Sequence, residues 1–532
     1  SRIFRSGFCY ASGILKPVAA MKRILPVLLA LCVFASVNAH ATGTQPLRGL
    51  DAYVRTVMAQ WKVPGLAVAI VKDGKVVLAR GYGVRELGKP AKVDANTLFG
   101  IASNTKAFTA AALGTLSLSG KIRLNAPVID YLPQFRLKNA YITTHLTVRD
   151  ALSHRSGYCD PTMMWIVNDF TSARIIHQLR YQKQNYGLRA HFCYNNTMYL
   201  VAGEIVPAVT GSSWNDFVRA HFFKPLGMDN TTSHMSVYEH DHDTAVPHGQ
   251  IDGKVVPITR MDTDAMAPVG GIKSSVADMS HWLIMLLADG RYHGHPVLDP
   301  AVLKTMETPQ TIIPADGEIG VWAHAQTPNN QFLDYGLGFF LQSYAGHKFV
   351  WHAGDIDGMA SALGMIPSEH LGIVVLSNMN QNRAPEAVMM HVLGAYLGQP
   401  PRDVSGALLA MKKKEEAPGK KFDAKLAAAH DPSAKPSLPL KKYAGTYHNN
   451  FYGKVEVSYT KGRLELAFGN PDFSATLIPW NHDTFKAPWH DRLFGDGYVT
   501  FDLDALGNVQ NLKLAGLAQR FTRVPKKSPA KH

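Results

Sequence analysis

The pattern of hydrophobic and polar positions predicts strands near the start of the folded part of the chain. Residues 66–70 are an uninterrupted apolar run, Asp73-Gly74 follows as a turn, and residues 75–80 alternate between polar and apolar side chains. Two such runs joined by an Asp-Gly turn are a strong signal for a β-hairpin. We therefore expect an antiparallel sheet to begin here.

The middle of the chain has the apolar spacing of helices. Residues 103–118 are predicted to form one helix, which Gly120 would end, and residues 146–157 to form a helix that runs into a glycine-ended loop. Residues 199–209 and 282–288 are predicted to be two further buried helices.

Strand patterns return after the helical region, in residues 348–351, 360–366 and 371–376. Sheet-forming segments thus lie on both sides of a helix-rich middle. The pattern is typical of an α/β domain whose antiparallel sheet is built from both ends of its sequence.

The last part of the chain has a different, all-β character. Its short strand patterns are evenly spaced and separated by turn residues, which predicts a small antiparallel barrel or sandwich. The predicted strands are residues 443–447, 455–459, 464–468, 498–501 and 509–514. We place this domain at 441–525 and the α/β domain at 48–400. The proline-rich and highly charged residues 401–440 are expected to be a solvated linker.

The first 41 residues are interpreted as a processing segment and excluded from the fold. Met21-Lys22-Arg23 is a basic start, residues 24–37 are apolar, and Ala39-His40-Ala41 fits a signal-peptidase site. Residues 1–20 are then upstream sequence. The apolar run is too short for a stable membrane span, so we expect a periplasmic or secreted protein in an oxidising compartment.

Export changes the interpretation of the four cysteines. Cys9 and Cys32 belong to the excluded segment, which leaves Cys159 and Cys193 in the folded part. The sequence leaves two alternatives open for this pair, a disulfide or two buried thiols.

Composition and charge narrow the function classes. The chain has 532 residues, of which 46% are hydrophobic, enough for one large and one smaller core. Its net charge of +14 would suit anionic surroundings such as a cell wall or membrane face, but no nucleic-acid motif accompanies it, so the excess charge is interpreted as a contribution to solubility. The histidines between His234 and His248 match no known ligand spacing and are interpreted as a polar loop, so no metal or cofactor is expected.

Three short motifs carry the candidate chemistry. The chain reads S-x-x-K from Ser103 to Lys106, Y-x-N from Tyr194 to Asn196, and H-x-G from His352 to Gly354. Each pattern also occurs elsewhere in the chain, so the order and surroundings of these three give them their weight.

Ser103 and Lys106 lie on one face of the predicted helix, one turn apart. A buried lysine has a lowered pKa and can act as a base, whereas an exposed one would leave Ser103 as an ordinary helix cap. The apolar residues 108–118 favour the buried alternative. Tyr194 is either a proton relay to Ser103 or a packed aromatic residue, and the amide of Asn196 can both accept and donate hydrogen bonds.

The ordered motifs resemble those of the serine β-lactamase and penicillin-binding-protein superfamily, in particular its class C-like members. The similarity extends over residues 48–400 and includes three further segments, residues 152–157, 270–278 and 335–338. The C-terminal strands resemble, more loosely, the lipocalin-like domain attached to some of these enzymes.

This resemblance implies roles for particular residues. Ser103 would be the nucleophile, with Lys106 as the base and Tyr194 as the proton relay, although the sequence leaves open which of the two takes the first proton. The implied substrate-binding residues are Asn196, His352, Gly354 and Asp355. The backbone N–H groups of Ser103 and Asp355 would form the oxyanion hole.

The implied function is an exported serine hydrolase that cleaves amide or ester bonds through an acyl-enzyme. The histidine at His352 is mostly neutral at pH 7, which makes recognition of a free carboxylate less assured than a lysine would and favours peptide or ester substrates over β-lactams. Among these, the resemblance implies a peptide containing D-amino acids. An esterase or β-lactamase on the same fold, and a non-catalytic wall-binding homologue, are the alternatives. Cell-wall material and a second copy of the chain are candidate partners, whereas nucleic acid and a stable membrane span are not expected.

Overall fold

The computed structural model describes residues 46–517 and 519–525. The predicted processing segment, residues 1–41 with Cys9 and Cys32, lies outside the described residues. Within these ranges no helix combines the length and the apolar character that crossing a membrane requires.

An eight-stranded antiparallel sheet forms the centre of the larger domain. The N-terminal hairpin pairs with a strand from the far end of the domain, with Leu66 opposite Ser377, so the expected sheet built from both ends is confirmed. In spatial order the strands are Lys75–Gly83, Gly65–Lys72, Leu371–Ser377, Met359–Ile366, His347–Ile356, Phe340–Tyr344, Leu333–Tyr335 and Thr311–Ile312.

Helices occupy the middle of the domain and its two ends. The helix Thr105–Leu118 is buried almost all round, because small and apolar side chains fill nearly every position, and Asn196–Thr210 packs beside it. The other helices of this domain are Leu50–Trp61, Ala140–His145, Val148–Leu152, Thr162–Ile166, Ser172–Gln178, Trp214–Val218, Lys224–Leu226, Met235–His240, Ala267–Gly270, Val276–Leu287, Pro300–Met306, Glu318–Gln326 and Ala384–Tyr396.

The segment predicted to be a solvated linker is largely helical. The helix Val404–Ala428 begins on the larger domain, where Val404 and Leu408 are buried and Trp61 Nε1 donates to Ser405 Oγ at 3.1 Å. Two apolar residues one turn apart dock this end, while the charged remainder faces solvent. The charge run therefore belongs to the exposed part of a helix rather than to an unstructured tether.

The C-terminal domain is a closed eight-stranded antiparallel barrel, one of the two architectures that the strand pattern predicted. The first and last strands pair with Tyr447 opposite Arg523, which closes the sheet. The strands are Gly445–Asn449, Gly453–Thr460, Arg463–Ala467, Ser474–Asn481, Thr484–Pro488, Asp496–Leu503, Val509–Leu514 and Phe521–Arg523. Three of them were missed in the sequence, in part because Pro479 and Pro488 argue against strand.

Side-chain amides join the barrel to the larger domain. Asn168 Nδ2 donates to the carbonyl of Tyr452 at 2.9 Å, and Gln178 Nε2 donates to the carbonyl of Phe451 at 2.9 Å. Both amides are buried, so these hydrogen bonds fix the docking of the first barrel hairpin.

Cys159 and Cys193 form a disulfide, which selects one of the two alternatives that the sequence left open. Their Cα atoms are 5.0 Å apart and 34 residues separate them along the chain. The bond ties the segment that leads to Asp160 to the segment that leads to Tyr194. It therefore ties together two segments that both contribute residues to the site described below.

The histidine-rich segment forms no metal cluster in the part of the chain that the structure describes. His248 is buried and satisfied by protein, since Nδ1 bonds the carbonyl of Asn378 at 2.9 Å and Nε2 accepts from the backbone N–H of Leu87 at 3.0 Å.

Candidate active site

Ser103 lies in a tight turn between a short strand and the buried helix. Residues Ala102–Asn104 form a single 3₁₀ turn, so the helix itself begins at Thr105 rather than at the predicted position. Ala102 has φ of +48°, a left-handed conformation that costs a non-glycine residue about 1 kcal/mol. Such strain is common at functional sites, where surrounding contacts hold it in place.

One buried serine holds this turn. Ser361 Oγ donates to the carbonyl of Ile101 at 2.7 Å and accepts from Asn104 Nδ2 at 2.8 Å. The two bonds lie on either side of Ser103 along the chain. They attach the turn to the strand Met359–Ile366 in the central sheet.

Lys106 is fully buried and makes three short contacts through its amine. Its Nζ lies 2.9 Å from Ser103 Oγ, 2.8 Å from Asn196 Oδ1 and 3.2 Å from the carbonyl oxygen of Val269. Burial lowers the pKa of Lys106 to about 7, against a smaller opposing effect of the Asp160 charge. Lys106 is therefore present in appreciable amounts as a neutral amine near neutral pH.

Tyr194 reaches Ser103 from the other side. Its hydroxyl donates to Ser103 Oγ at 3.0 Å, and its ring stacks on His154 with 4.2 Å between ring centroids. Burial raises the pKa of Tyr194 far above its ordinary value, so the phenol keeps its proton. His154 is itself buried, accepts from the Asn195 backbone N–H through Nδ1, and has a pKa well below its usual range because of that burial.

Asn196 connects Lys106 to a partly buried carboxylate that the sequence did not single out. Asn196 Nδ2 donates to Asp160 Oδ2 at 3.1 Å, and its backbone N–H donates to Asp160 Oδ1 at 2.8 Å. Thr162 Oγ1 also donates to Asp160. Burial nevertheless raises the pKa of Asp160, because desolvation outweighs these bonds. No motif marks Asp160; its position directly after Cys159 is the one local signal.

His352 lines the site as a neutral imidazole with both ring nitrogens bonded to protein. Nδ1 lies 2.6 Å from the carbonyl of Ala353, which can only accept, so Nε2 accepts from Tyr335 OH at 3.1 Å. Burial lowers the pKa of His352 to about 3, and the nearby charge of Lys106 acts in the same direction. Recognition of a substrate carboxylate by this ring, as a lysine would provide, is therefore disfavoured.

Gly354 allows the central sheet to approach the serine turn. A Cβ atom there would lie 2.6 Å from the carbonyl oxygen of Ile101 and 2.9 Å from Ala102 Cβ, closer than real contacts permit. The close approach at Gly354 is thus between two parts of the protein. The strand His347–Ile356 pairs with the strand Phe340–Tyr344 only as far as Trp351. The residues that follow, up to Asp355, line the site.

A cavity of about 300 Å³ opens beside Ser103. Aromatic side chains form much of its wall. An ion pair that the sequence did not reveal, Arg383 with Glu386, also lines it. Arg383 Nη1 donates to Glu386 Oε1 at 2.9 Å, and its guanidinium lies 4.8 Å from the ring centroid of Trp322. The cavity-lining residues are Ser103, Tyr194, Asn196, Ile319, Trp322, Gln326, Phe340, Trp351, His352, Ala353, Gly354, Asp355, Arg383 and Glu386.

Asp355 is the third charged side chain of the cavity. The residue is exposed, and its carboxylate accepts from the backbone N–H of Gln381 at 2.8 Å. Desolvation by the surrounding protein raises the pKa of Asp355 to about 7, an effect that the charge of Arg383 partly opposes.

Two family models match the chain. Residues 50–394 match the Beta-lactamase family, and residues 429–525 match a domain of unknown function, DUF3471. The first match covers the whole central sheet, its helices and every residue of the candidate site.

Individual proteins are also similar to this chain over most of its length. The unguisins hydrolase ungD' of Aspergillus campestris is 27% identical over 474 residues, which are 81% of this chain and 82% of that protein. Protein flp of Staphylococcus aureus (strain MW2) is 27% identical over 350 residues, 64% of each chain.

Solved structures share the fold at lower identity. The octameric penicillin-binding protein homologue from Pyrococcus abyssi has a TM-score of 0.56 at 24% identity, with 90% of this chain and 100% of that one covered. A D-stereospecific amidohydrolase from Streptomyces sp. has a TM-score of 0.53 at 21% identity, with 66% of this chain and 99% of that one covered.

Proposed function

Because the chain belongs to the Beta-lactamase family, we propose that it is a serine hydrolase that cleaves amide or ester bonds through an acyl-enzyme, with peptides containing D-amino acids as substrates. Members of this family are hydrolases, which supports hydrolase activity in this chain. The serine mechanism and the substrate class are the proposal, and the geometry around Ser103 supports them.

The observation that carries the proposal is the set of partners around the Lys106 amine. A neutral amine has two N–H groups and one lone pair. Asn196 Oδ1 and the carbonyl of Val269 can only accept hydrogen bonds, so they take the two N–H groups. The lone pair is then left for the third neighbour, the hydroxyl of Ser103 at 2.9 Å.

This arrangement favours Lys106 as the group that takes the first proton. Tyr194 donates to Ser103 Oγ and holds its proton tightly, so it is poorly suited to act as a base. It is well placed instead to pass a proton between the Lys106 ammonium and the leaving group above Ser103.

The proposed reaction has two halves. Ser103 Oγ attacks the substrate carbonyl as its proton moves to Lys106, and the oxyanion forms beside the backbone N–H groups of Ser103 and Asp355. The proton then reaches the leaving amine or alcohol through Tyr194, which leaves an ester on Ser103. Water attacks this ester, one of its protons returns through Lys106 to Ser103 Oγ, and the free acid departs.

Two observations bear on the substrate. The neutral, fully bonded His352 offers no positive charge to a free substrate carboxylate, which disfavours substrates that depend on one. Relatives and fold neighbours include an unguisins hydrolase and a D-stereospecific amidohydrolase.

The disulfide Cys159–Cys193 supports the proposed export, because such bonds persist in oxidising compartments.

Rates on matched small substrates test the proposal. We expect turnover of p-nitrophenyl acetate and of D-alanine p-nitroanilide, a slower rate on L-alanine p-nitroanilide, and weak hydrolysis of nitrocefin. The Ser103→Ala variant should lose all of these activities while keeping its melting temperature. Undiminished activity in Ser103→Ala would refute the nucleophile. Hydrolysis of the ester alone would make the protein an esterase, and no turnover at all would favour a binding protein.

A further inference from the structure

The buried carboxylate Glu386 lacks a partner for one of its oxygens. Glu386 is 2% exposed, and Oε1 accepts from Arg383 Nη1 at 2.9 Å. Its Oε2 is also buried and has no hydrogen-bond partner among the described residues. Leaving a buried carboxylate oxygen without a donor is costly, so a donor from outside the protein is the natural way to satisfy it.

The side chain stands at the cavity that contains the serine. Glu386, Arg383 and Asp355 line the same cavity as Ser103. Asp355 is close enough for the negative charge of Glu386 to raise its pKa. Two carboxylates and one guanidinium therefore line this side of the cavity, and the Lys412 amine, which donates to the carbonyl of Gln381, lies close enough to interact with the Asp355 charge.

The aromatic walls of the cavity favour a cationic ligand, as the carboxylates do. Trp322, Trp351 and Phe340 face the cavity, and Arg383 already lies over the Trp322 ring at 4.8 Å from its centroid. Aromatic faces attract cations, and a substrate ammonium would meet both these faces and the carboxylates. A substrate carboxylate would meet Arg383, but only in competition with Glu386, which already holds that guanidinium.

We propose that Glu386, oriented by Arg383 and assisted by Asp355, forms a subsite that binds an ammonium group of the substrate. This inference rests on the proposed function, since it names the chemistry of the substrate that Ser103 would cleave. Glu386 accepts an N–H of the ammonium through Oε2, while Arg383 holds the carboxylate in place through Oε1. Arg383 is a positioning residue in this account.

Matched substrates test the subsite in the intact protein. One pair compares D-alanine p-nitroanilide with its N-acetyl derivative, and a second compares Nα-acetyl-D-lysine p-nitroanilide with Nα-acetyl-D-norleucine p-nitroanilide. We expect the ammonium-bearing member of at least one pair to have the higher kcat/KM. The preference should be about tenfold or more, as a hydrogen bond to a charged group provides. N-succinyl-D-alanine p-nitroanilide, which carries a carboxylate instead, should be the poorest substrate of the alanine series.

Two variants locate the effect. Glu386→Gln should reduce the ammonium preference at least several-fold, and melting temperatures show whether it is folded. Glu307→Gln is the matched control, because Glu307 is another largely buried carboxylate, paired with Lys348 at 3.0 Å, that does not line the cavity. It should keep the wild-type preference.

The outcomes separate this subsite from the proposed function. Equal rates within both pairs, or a preference for the succinyl substrate, would overturn the subsite even if p-nitrophenyl acetate is hydrolysed normally. An ammonium preference that survives in folded Glu386→Gln would overturn the role of Glu386. Absence of turnover on every ester and amide would overturn the serine hydrolase and the subsite together.

Discussion

Asp160 fixes the orientation of Asn196 from two directions. One carboxylate oxygen accepts the backbone N–H of Asn196 at 2.8 Å, and the other accepts its side-chain amide at 3.1 Å. An amide held in this way must point its oxygen toward Lys106, 2.8 Å from the amine. A residue outside all three motifs thus determines which atom of Asn196 faces the proposed base.

The pH dependence of kcat/KM should follow the ionisation of Lys106. Its pKa is about 7, so the protonated amine dominates at lower pH and cannot accept the Ser103 proton. We expect kcat/KM on an amide substrate to rise through about pH 7 and then level off. Asp355 also has a pKa of about 7, so the same profile must be measured in Asp355→Asn. A limb that disappears in that variant would contradict the assignment to Lys106.

Replacing Asp160 should move that limb in a defined direction. The charge of Asp160 raises the pKa of Lys106, so Asp160→Asn should shift the rising limb to lower pH. In this variant an amide replaces the carboxylate, so only one oxygen remains to accept the two N–H groups of Asn196. We expect kcat to fall by about 10² because Asn196 is then held less firmly. Asp169→Asn, an exposed neighbour on the same segment, is the control and should change neither quantity. A limb that moves to higher pH would be inconsistent with this electrostatic account.

Gly354→Ala should damage both stability and activity. The added Cβ would lie 2.5 Å from Ser361 Oγ and 2.6 Å from the carbonyl of Ile101, so the serine turn must shift. We expect a loss of about 1–3 kcal/mol in the free energy of unfolding, measured with denaturant, and a lower kcat. Gly419→Ala is the contrasting change, because Gly419 lies in an exposed helix with nothing within 4 Å of an added Cβ. It should stabilise by about 0.5–1 kcal/mol, and a Gly354→Ala variant that behaves like it would rule out the crowding argument.

Removing the disulfide should weaken the fold around the site. The double variant Cys159→Ser, Cys193→Ser loses a cross-link over 34 residues, for which the expected cost is about 2–4 kcal/mol of unfolding free energy. Reductant should lower the stability of the wild type to a similar extent and leave the double variant unchanged. Equal stability of wild type and double variant under oxidising conditions would show that the bond contributes little.

The sequence predicts well whatever depends on neighbouring residues. The hairpin around Asp73-Gly74, the buried helix after Ser103 and the spacing of Ser103 and Lys106 are local patterns, and the structure contains each of them. The convergence of Tyr194 on Ser103 is not local, and it followed only from the resemblance of the ordered motifs to a known superfamily.

Individual side-chain contacts between distant segments were the part that could not be predicted. Asp160 meets Asn196 across 36 positions, and Glu386 reaches the cavity from a helix near the end of the domain, with no motif to mark either residue. The helix after residue 401 was not predicted for a similar reason. Its docking depends on Val404 and Leu408 meeting a surface formed by other parts of the chain.

Covalent labelling tests the central claim most directly. The protein would be treated with a fluorophosphonate probe, digested, and its peptides mapped by mass spectrometry. The account predicts one stoichiometric adduct, located on Ser103, that is lost in Ser103→Ala and forms much more slowly in Lys106→Arg. An unlabelled wild-type protein, or an adduct that maps to a different serine and persists in Ser103→Ala, would contradict it.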